Sequence, residues 1–450
     1  MRTRRMRIRT NWNKALDALP DELAAANDWR RRLATLMGAV LIGFAALGFA
    51  WFGDRAQHLF FAAQSTHPWL NLVGTPVMFV AIAYIATRFV PQTRGSGIPQ
   101  VMAAARATDE SAMAPLVSLK TALMKVSLTV AGLFSGAPVG REGPTVQLAA
   151  AFMVQVHRVL RVPLTPGVLI AGGAAGVAAA FNTPLAGIAF AIEELAVAYE
   201  QRVAVLVMGA VMIAGLTAQG IAGDYVYFGH VTGALEVREV LLVAPLAGIG
   251  GGMLGGLFSR GLLTVRGPGA RWGGMVGRRP LVTALLCGLV VGAIGLATGG
   301  ATSGTGYGPT AMLLKGGDTA YWFGPAKFLS ALATSISGIP GGIFAPSLAI
   351  GAGFGDLLTP LFPSRDAGLI VLMGMAGYFT GVVRAPLTAV IILSEATGSS
   401  YAILPLFATA LIGDWTGAMV CRERLYHALS RGFLPPPHEE GGGKDQVVSG

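Results

Sequence analysis

The sequence predicts an all-α polytopic membrane protein built from two related halves. Three observations carry that expectation. Hydrophobic residues make up 53% of the 450, charged residues only 12%, and mean hydropathy is +0.60. A soluble domain carries about 25% charged residues. Apolar runs near the length needed to cross a bilayer, about 20 residues as a helix, recur from Leu33 to Val420. The third observation is internal: the chain repeats itself at a fixed offset of 202 residues.

Taken in order, residues 1–32 form a basic segment. Arg2, Arg4, Arg5, Arg7 and Arg9 crowd the start, and Arg30, Arg31 and Arg32 precede the first apolar run. An excess of arginine beside a first span keeps that end in the cytoplasm. Asn11 to Asn27 reads as a short amphipathic helix on the membrane surface, broken at Pro20. No short apolar region with a small-residue cleavage site follows, so no signal peptide is expected. Arg422, Arg424 and Arg431 put the C-terminus on the same side, which calls for an even number of crossings. Residues 434–450, rich in glycine and charge, read as a disordered cytoplasmic tail. The net charge of +10 is therefore membrane-flanking and gives no ground for nucleic acid as a partner.

The repeat defines the two membrane segments, 33–225 and 226–433, joined between Gly223 and Val240. Pro144 and Pro346 stand 202 residues apart, as do Pro184 and Pro386, Lys125 and Lys327, Gly136 and Gly338, Pro138 and Pro340, and Gly140 and Gly342. Symmetry alone does not say whether the halves are parallel or inverted. An inverted pair would bring the helices opened at Pro144 and Pro346 to one midplane from opposite sides, aiming two positive helix ends at one point. Glycine and proline interrupt several runs, and broken helices inside a membrane line a cavity or a site.

The stretch Gly140-Arg141-Glu142-Gly143-Pro144 concentrates the chemistry of the first half. Arg141 and Glu142 are the only ionisable side chains from Val126 to Val156. Proline suits the first turn of a helix. Glycine lets a ligand approach the main chain, and a helix start offers free N–H groups to an anion. By itself the motif also fits an interfacial loop whose two charges meet water. Glu142 matches Phe344 in the second half, and Glu194 matches Ala396, so these two carboxylates have no counterpart. Glu193 does, at Glu395, which suits a structural role. Unpaired carboxylates in an uncharged interior fit a proton path, although Glu194 equally fits a residue emerging into the cytoplasm. Tyr426, at a helix end, reads alone as an interfacial aromatic.

Other chemistries find no support. Cys287 and Cys421 suggest neither a disulfide nor a metal site, the six histidines show no ligand spacing, and no metal or cofactor is expected. Gly248 to Gly256 follows no strand and reads as close helix packing rather than a dinucleotide loop. No GxxxxGK[ST] stretch is present, which removes ATP-driven transport.

Gly95-Ser96-Gly97-Ile98-Pro99, Gly140-Arg141-Glu142-Gly143-Pro144 and Gly342-Ile343-Phe344-Ala345-Pro346 together resemble the CLC chloride channel and transporter family. In this order and spacing the three are specific, and the similarity runs from Arg30 to Phe433, including Pro184-Leu185-Ala186-Gly187 and Arg424-Leu425-Tyr426-His427. The resemblance implies inverted repeats of tilted, partly inserted helices and a homodimer with one pathway per subunit. It implies an anion held by the hydroxyls of Ser96 and Tyr426 and the backbone N–H groups of Ile343 and Phe344. Glu142 falls on the external gate, which occupies the anion's place when ionised and swings away when protonated, and Glu194 on an internal proton-transfer residue. Gly95, Gly97, Pro99, Gly140, Arg141, Gly143 and Pro144 fall on the supporting motif. Gln100 departs from a frequent glutamate, which alters the vestibule but no ion ligand. The chain ends soon after Tyr426, leaving no room for nucleotide-binding modules, which points to a bacterial-type member of the inner (plasma) membrane.

The expected activity is therefore chloride/proton antiport rather than enzyme catalysis, with chloride and protons as substrates and the lipid bilayer as surroundings. A passive, voltage- or pH-gated chloride channel of the same fold is the nearest rival, and Glu194 speaks against it. A cation-coupled carrier of organic solutes would need a larger polar pocket. A membrane hydrolase would need a base beside Ser96, and no histidine or lysine is placed for that role. Ser96 itself favours chloride, since proline there goes with nitrate in the family.

Overall fold

In the computed structural model, residues 21–434 are described apart from 108, 196–200, 224, 232, 234 and 363–365. The expected tail, all but Leu434, and the first 20 residues of the basic segment lie outside the described residues. Nineteen helices follow one another among those described, with no strands. The first half contains α1 (Asp21–Thr66), α2 (Leu70–Phe89), α3 (Ile98–Arg106), α4 (Glu110–Met113), α5 (Leu119–Phe134), α6 (Glu142–Val159), α7 (Pro166–Phe181), α8 (Pro184–Phe190) and α9 (Gln201–Ala222). The second half contains α10 (Val237–Arg266), α11 (Gly273–Arg278), α12 (Pro280–Ala297), α13 (Tyr307–Leu314), α14 (Phe323–Ser337), α15 (Phe344–Leu358), α16 (Ala367–Val383), α17 (Pro386–Thr397), α18 (Ile403–Val420) and α19 (Leu425–Arg431).

The boundary expected at Arg32 falls inside α1. Residues 21–27 are its first turns and not a separate surface helix, since nothing between Asp21 and Thr66 breaks the helix. Among the described residues, six helices are long and apolar enough to cross a membrane: α2, α10, α12 and α18 whole, with Trp29–Thr66 of α1 and Val203–Ala222 of α9. Their outer faces carry large apolar side chains, as on α12, where Val282, Leu286 and Val290 are exposed. The molecule is thus a multi-pass membrane protein. Inside it, α6, α7, α15 and α16 are buried over almost their whole length. Small residues make that possible. Gly251, Gly252 and Gly255 of α10 face the backbones of α16 and α18, and a Cβ at Gly255 would lie 2.4 Å from the Tyr378 carbonyl oxygen. The glycine-rich stretch is close helix packing.

The two halves are inverted repeats. Gly140 and Gly342, equivalent by the 202-residue offset, form an isolated antiparallel bridge in which each N–H donates to the other's carbonyl at 2.7 Å. Equivalent residues pairing antiparallel place the two-fold relating the halves between them. A second reciprocal pair lies at α8 and α17. The Glu193 carboxylate accepts from the backbone N–H groups of Leu387 (3.1 Å) and Thr388 (2.8 Å). The Glu395 carboxylate accepts from Leu185 (3.1 Å) and Ala186 (2.8 Å), the equivalent residues of the other half. Each carboxylate thus neutralises the free donors and the positive end of its partner's helix. Helix stops repeat as well: Asn182 and Arg384, 202 residues apart, both adopt left-handed backbone at the ends of α7 and α16.

Upstream the register changes. Buried Lys125 of α5 donates from Nζ to the Gly95 carbonyl (3.1 Å), while its equivalent Lys327 of α14 donates to those of Thr302 (2.8 Å) and Gly304 (2.7 Å). Gly95 and Gly304 stand 209 residues apart. The seven extra residues of the second register lie between α3 and α5 in the first half, where α4 is inserted.

Candidate functional site

Three helices begin at one place. α3 starts at Ile98 after Gly97, whose φ of +116° is left-handed and whose Cβ, if present, would lie 2.4 Å from the Gly143 carbonyl oxygen. α6 starts at Glu142 and α15 at Phe344, neither with a side-chain cap. The loops before them are stitched by backbone: besides the Gly140–Gly342 exchange, the Gly341 N–H donates to the Gly95 carbonyl at 3.2 Å. All three motifs that the sequence singled out therefore converge, and their uncapped N-termini supply free N–H groups and positive helix ends to one spot. Only glycine allows it, because a Cβ at Gly143 would meet Ser96 Oγ at 2.3 Å.

Glu142 is fully buried in this junction. Its Oε2 accepts from the Ala345 N–H at 3.4 Å, and its Oε1 has no partner. Ser96 Oγ and Tyr426 Oη are also buried without partners. Both residues line a cavity of about 250 Å³ together with Ile343, Gln100, Arg94 and Arg266. Two arginines at its wall make it favourable to anions. Tyr426, on α19, packs its ring against Phe344 with centroids 5.9 Å apart. Two unpartnered hydroxyls, of Ser96 and Tyr426, beside one set of helix starts suit a small anion that accepts from hydroxyl and N–H donors. Phe344 is in turn wedged between Phe181, Phe190 and Phe379.

A second cavity, of about 710 Å³, lies on the other side of the Gly140 loop and is lined by Asp54, His58, Arg141, Tyr225, Tyr227 and Tyr307. The Arg141 side chain does not line the cavity of Ser96 and Tyr426. Its Nη1 donates to Asp54 Oδ1 and to the Ala50 carbonyl, both at 2.8 Å, fixing the loop to α1. The two cavities share no lining residue, and Glu142 lines neither.

Glu194 lies elsewhere, in a single π turn, Ala191–Leu195, that ends α8. Its side chain is buried, with Oε1 3.2 Å from His427 Nδ1 and Oε2 unpartnered. Adjacent Glu193 faces α17, so the two neighbours meet different surroundings, as helical spacing suggested. Gln100 is buried and donates from Nε2 to the carbonyls of Gln92 (3.1 Å) and Arg94 (2.6 Å), which holds the loop before Ser96. Gly95, Gly97, Pro99, Gly140, Gly143 and Pro144 all lie in the converging loops or the first turns of α3 and α6. Sequence reasoning passed over the Asp54–Arg141 pair, the Lys125–Gly95 bond and the contact made by His427. Only the repeat of lysine at 125 and 327 hinted at one of them.

These features recur among known proteins. The family model described as "Voltage gated chloride channel" matches residues 77–418. The H(+)/Cl(-) exchange transporter ClcA of Yersinia pestis bv. Antiqua (strain Angola) is 30% identical over 385 residues, 80% of this chain and 78% of that one. Among solved structures, a slow cyanobacterial Cl-/H+ antiporter superposes with a TM-score of 0.77 at 24% identity, covering 90% of this chain and 98% of that one. A CLC-type fluoride/proton antiporter does so with a TM-score of 0.75 at 21% identity, covering 92% and 99%. With the motifs meeting at one junction and the family model spanning most of the chain, this protein belongs to the voltage-gated chloride channel (CLC) family.

Proposed function

We propose that this protein exchanges chloride for protons across a membrane. The observation that carries the reading is the position of Glu142: its buried carboxylate accepts from the Ala345 N–H at the start of α15, one of the three helix starts whose free donors a bound chloride would use. Chloride and an ionised Glu142 compete for donors, so loading one displaces the other. A protonated Glu142 no longer needs those donors and leaves them to the anion. In this reading Ser96 and Tyr426 supply hydroxyls, Ile343 and Phe344 supply backbone N–H groups, and Glu142 is the external gate and proton carrier.

Glu194 is the second proton station. It is buried on the α19 side, away from the cavity that Arg141 lines, and a passive channel would have no use for such a carboxylate. The names of the 30%-identical exchangers support coupled transport over simple conduction. A homodimer with one pathway in each subunit is part of this reading, as the family resemblance implies. The inner membrane, with both termini cytoplasmic, is the location that the flanking arginines favour.

The test is the reversal potential of purified protein in liposomes under crossed chloride and proton gradients. An exchanger follows both gradients, whereas a reversal potential set by chloride alone overturns the proposal. Glu142→Gln, a neutral stand-in for the protonated gate, is expected to keep chloride flux and lose its proton coupling.

A further inference from the structure

Helix α19 presents two consecutive side chains to two different places. Tyr426 is fully buried and turns its ring to Phe344 at the anion cavity. His427, the next residue, reaches Glu194: Nδ1 lies 3.2 Å from Oε1. The exposure of this pair is uneven. The Glu194 side chain is 0% exposed and that of His427 33%, so the imidazole touches both the carboxylate and solvent. The other charged groups nearby are otherwise engaged. Glu193 accepts from α17, Arg424 donates from Nη1 to the Glu193 carbonyl (3.5 Å), Arg106 donates to Ser430 Oγ (3.3 Å), and Arg431 pairs with Glu423. Among the described residues, His427 is the one titratable side chain bonded to Glu194.

We propose that His427 transfers the proton between water and Glu194. The inference rests on the reading of Glu194 as a proton station. In the inward step, a hydronium ion gives its proton to Nε2 and leaves as water, while the Nδ1–H bond breaks and its proton passes to Glu194 Oε1, forming the neutral acid. The imidazole stays neutral as its other tautomer, and proton exchange with water, Nε2 losing a proton as Nδ1 gains one, restores the starting tautomer. The outward step is the reverse. A buried carboxylate without such a neighbour would have to wait for water to enter, and an imidazole can take up a proton at one ring nitrogen while giving one up at the other. Since Tyr426 and His427 share one short helix, a shift of α19 would move an anion ligand and the proton contact together.

The test measures chloride-driven proton flux and chloride flux in liposomes for three variants. His427→Gln keeps a donor for Glu194 but carries no proton; it is expected to slow proton flux by about tenfold, less than a full loss because water substitutes in part. Chloride flux should fall less, so the ratio of the two fluxes changes. His427→Ala should behave alike, and imidazole in the buffer should restore its proton flux. Glu194→Gln should lose proton flux with no rescue by imidazole. Wild-type proton flux in His427→Gln would overturn the shuttle and leave Glu194 in place, as would an unrescued His427→Ala beside a normal His427→Gln. Retained coupling in Glu194→Gln would instead overturn the reading on which the inference rests.

Discussion

Where the three glycine-framed loops cross, the absence of a single methyl group keeps Ser96 in place. A Cβ at Gly143 would lie 2.3 Å from Ser96 Oγ and 2.8 Å from the Ser96 carbonyl oxygen. The hydroxyl can rotate away, but the carbonyl belongs to a loop held by Lys125 and by the Gly341 N–H. Gly143→Ala is therefore expected to lower chloride turnover by at least about tenfold, with about 1–3 kcal/mol of destabilisation from overpacking. Chloride efflux from liposomes and thermal unfolding in detergent measure the two effects; normal turnover would remove Ser96 from the pathway. At this scale much was legible. Glu142 and Glu194 were marked by having no counterpart in the second half, and Ser96 and Tyr426 by the family motifs. Lys125 was marked only by its repeat at Lys327, while His427 and Asp54 carried no sign of their contacts, because their partners lie 233 and 87 residues away in sequence.

Between elements, the pair of capping carboxylates is the informative feature. Glu193 and Glu395 sit 202 residues apart and each accepts from the first N–H groups of the opposite helix, with Thr388 Oγ1 donating a third bond to Glu193 at 2.9 Å. A glutamine keeps one acceptor but turns an NH2 group toward N–H donors. Hydrogen bonds to a charged group are worth about 1.5–3 kcal/mol, so Glu193→Gln should destabilise by about 1–3 kcal/mol. Glu395→Gln should destabilise in the same way but less, since Ala186 offers no hydroxyl where Thr388 does, while chloride/proton coupling persists in both. Unfolding of the two variants and of the double variant checks this. Uncoupling by Glu193→Gln would assign it a transport role instead. The 202-residue register that points to this pair was visible in the sequence. The 209-residue register of the earlier helices was not, because α4 shifts the count by seven and α2, α3, α12 and α13 share too few letters to realign by eye.

For the molecule as a whole, the decisive property is that large apolar side chains lie exposed on the outer faces of its long helices. On α12 Leu286 is 57% exposed and its neighbours at Val282 and Val290 are nearly as open. No water-facing helix would carry such a face, whereas lipid tails favour it. Leu286→Arg is expected to cost about 2.5–3.5 kcal/mol of insertion free energy if the residue lies near the middle of the membrane. Membrane-inserted yield should fall while Leu286→Ala is tolerated. Equal yields for the two would place this face against protein rather than lipid. The six long spans announced themselves by length and hydropathy. The buried short helices α8, α15 and α17 did so only through their opening prolines.

The sequence by itself determined the membrane class, the doubling of the chain and the asymmetry of its carboxylates. Composition, offset and identity are local or strictly periodic properties, and they survive without coordinates. Whether the halves run parallel or inverted was decided only when Gly140 met Gly342 antiparallel, because a repeat in sequence carries no sign of direction in space. The same holds for the choice between a buried carboxylate and a solvated interfacial loop at Glu142. Burial of that carboxylate against the Ala345 N–H depends on a helix start 203 residues away. Contacts of that kind arise from packing, and only the folded chain brings their two ends together.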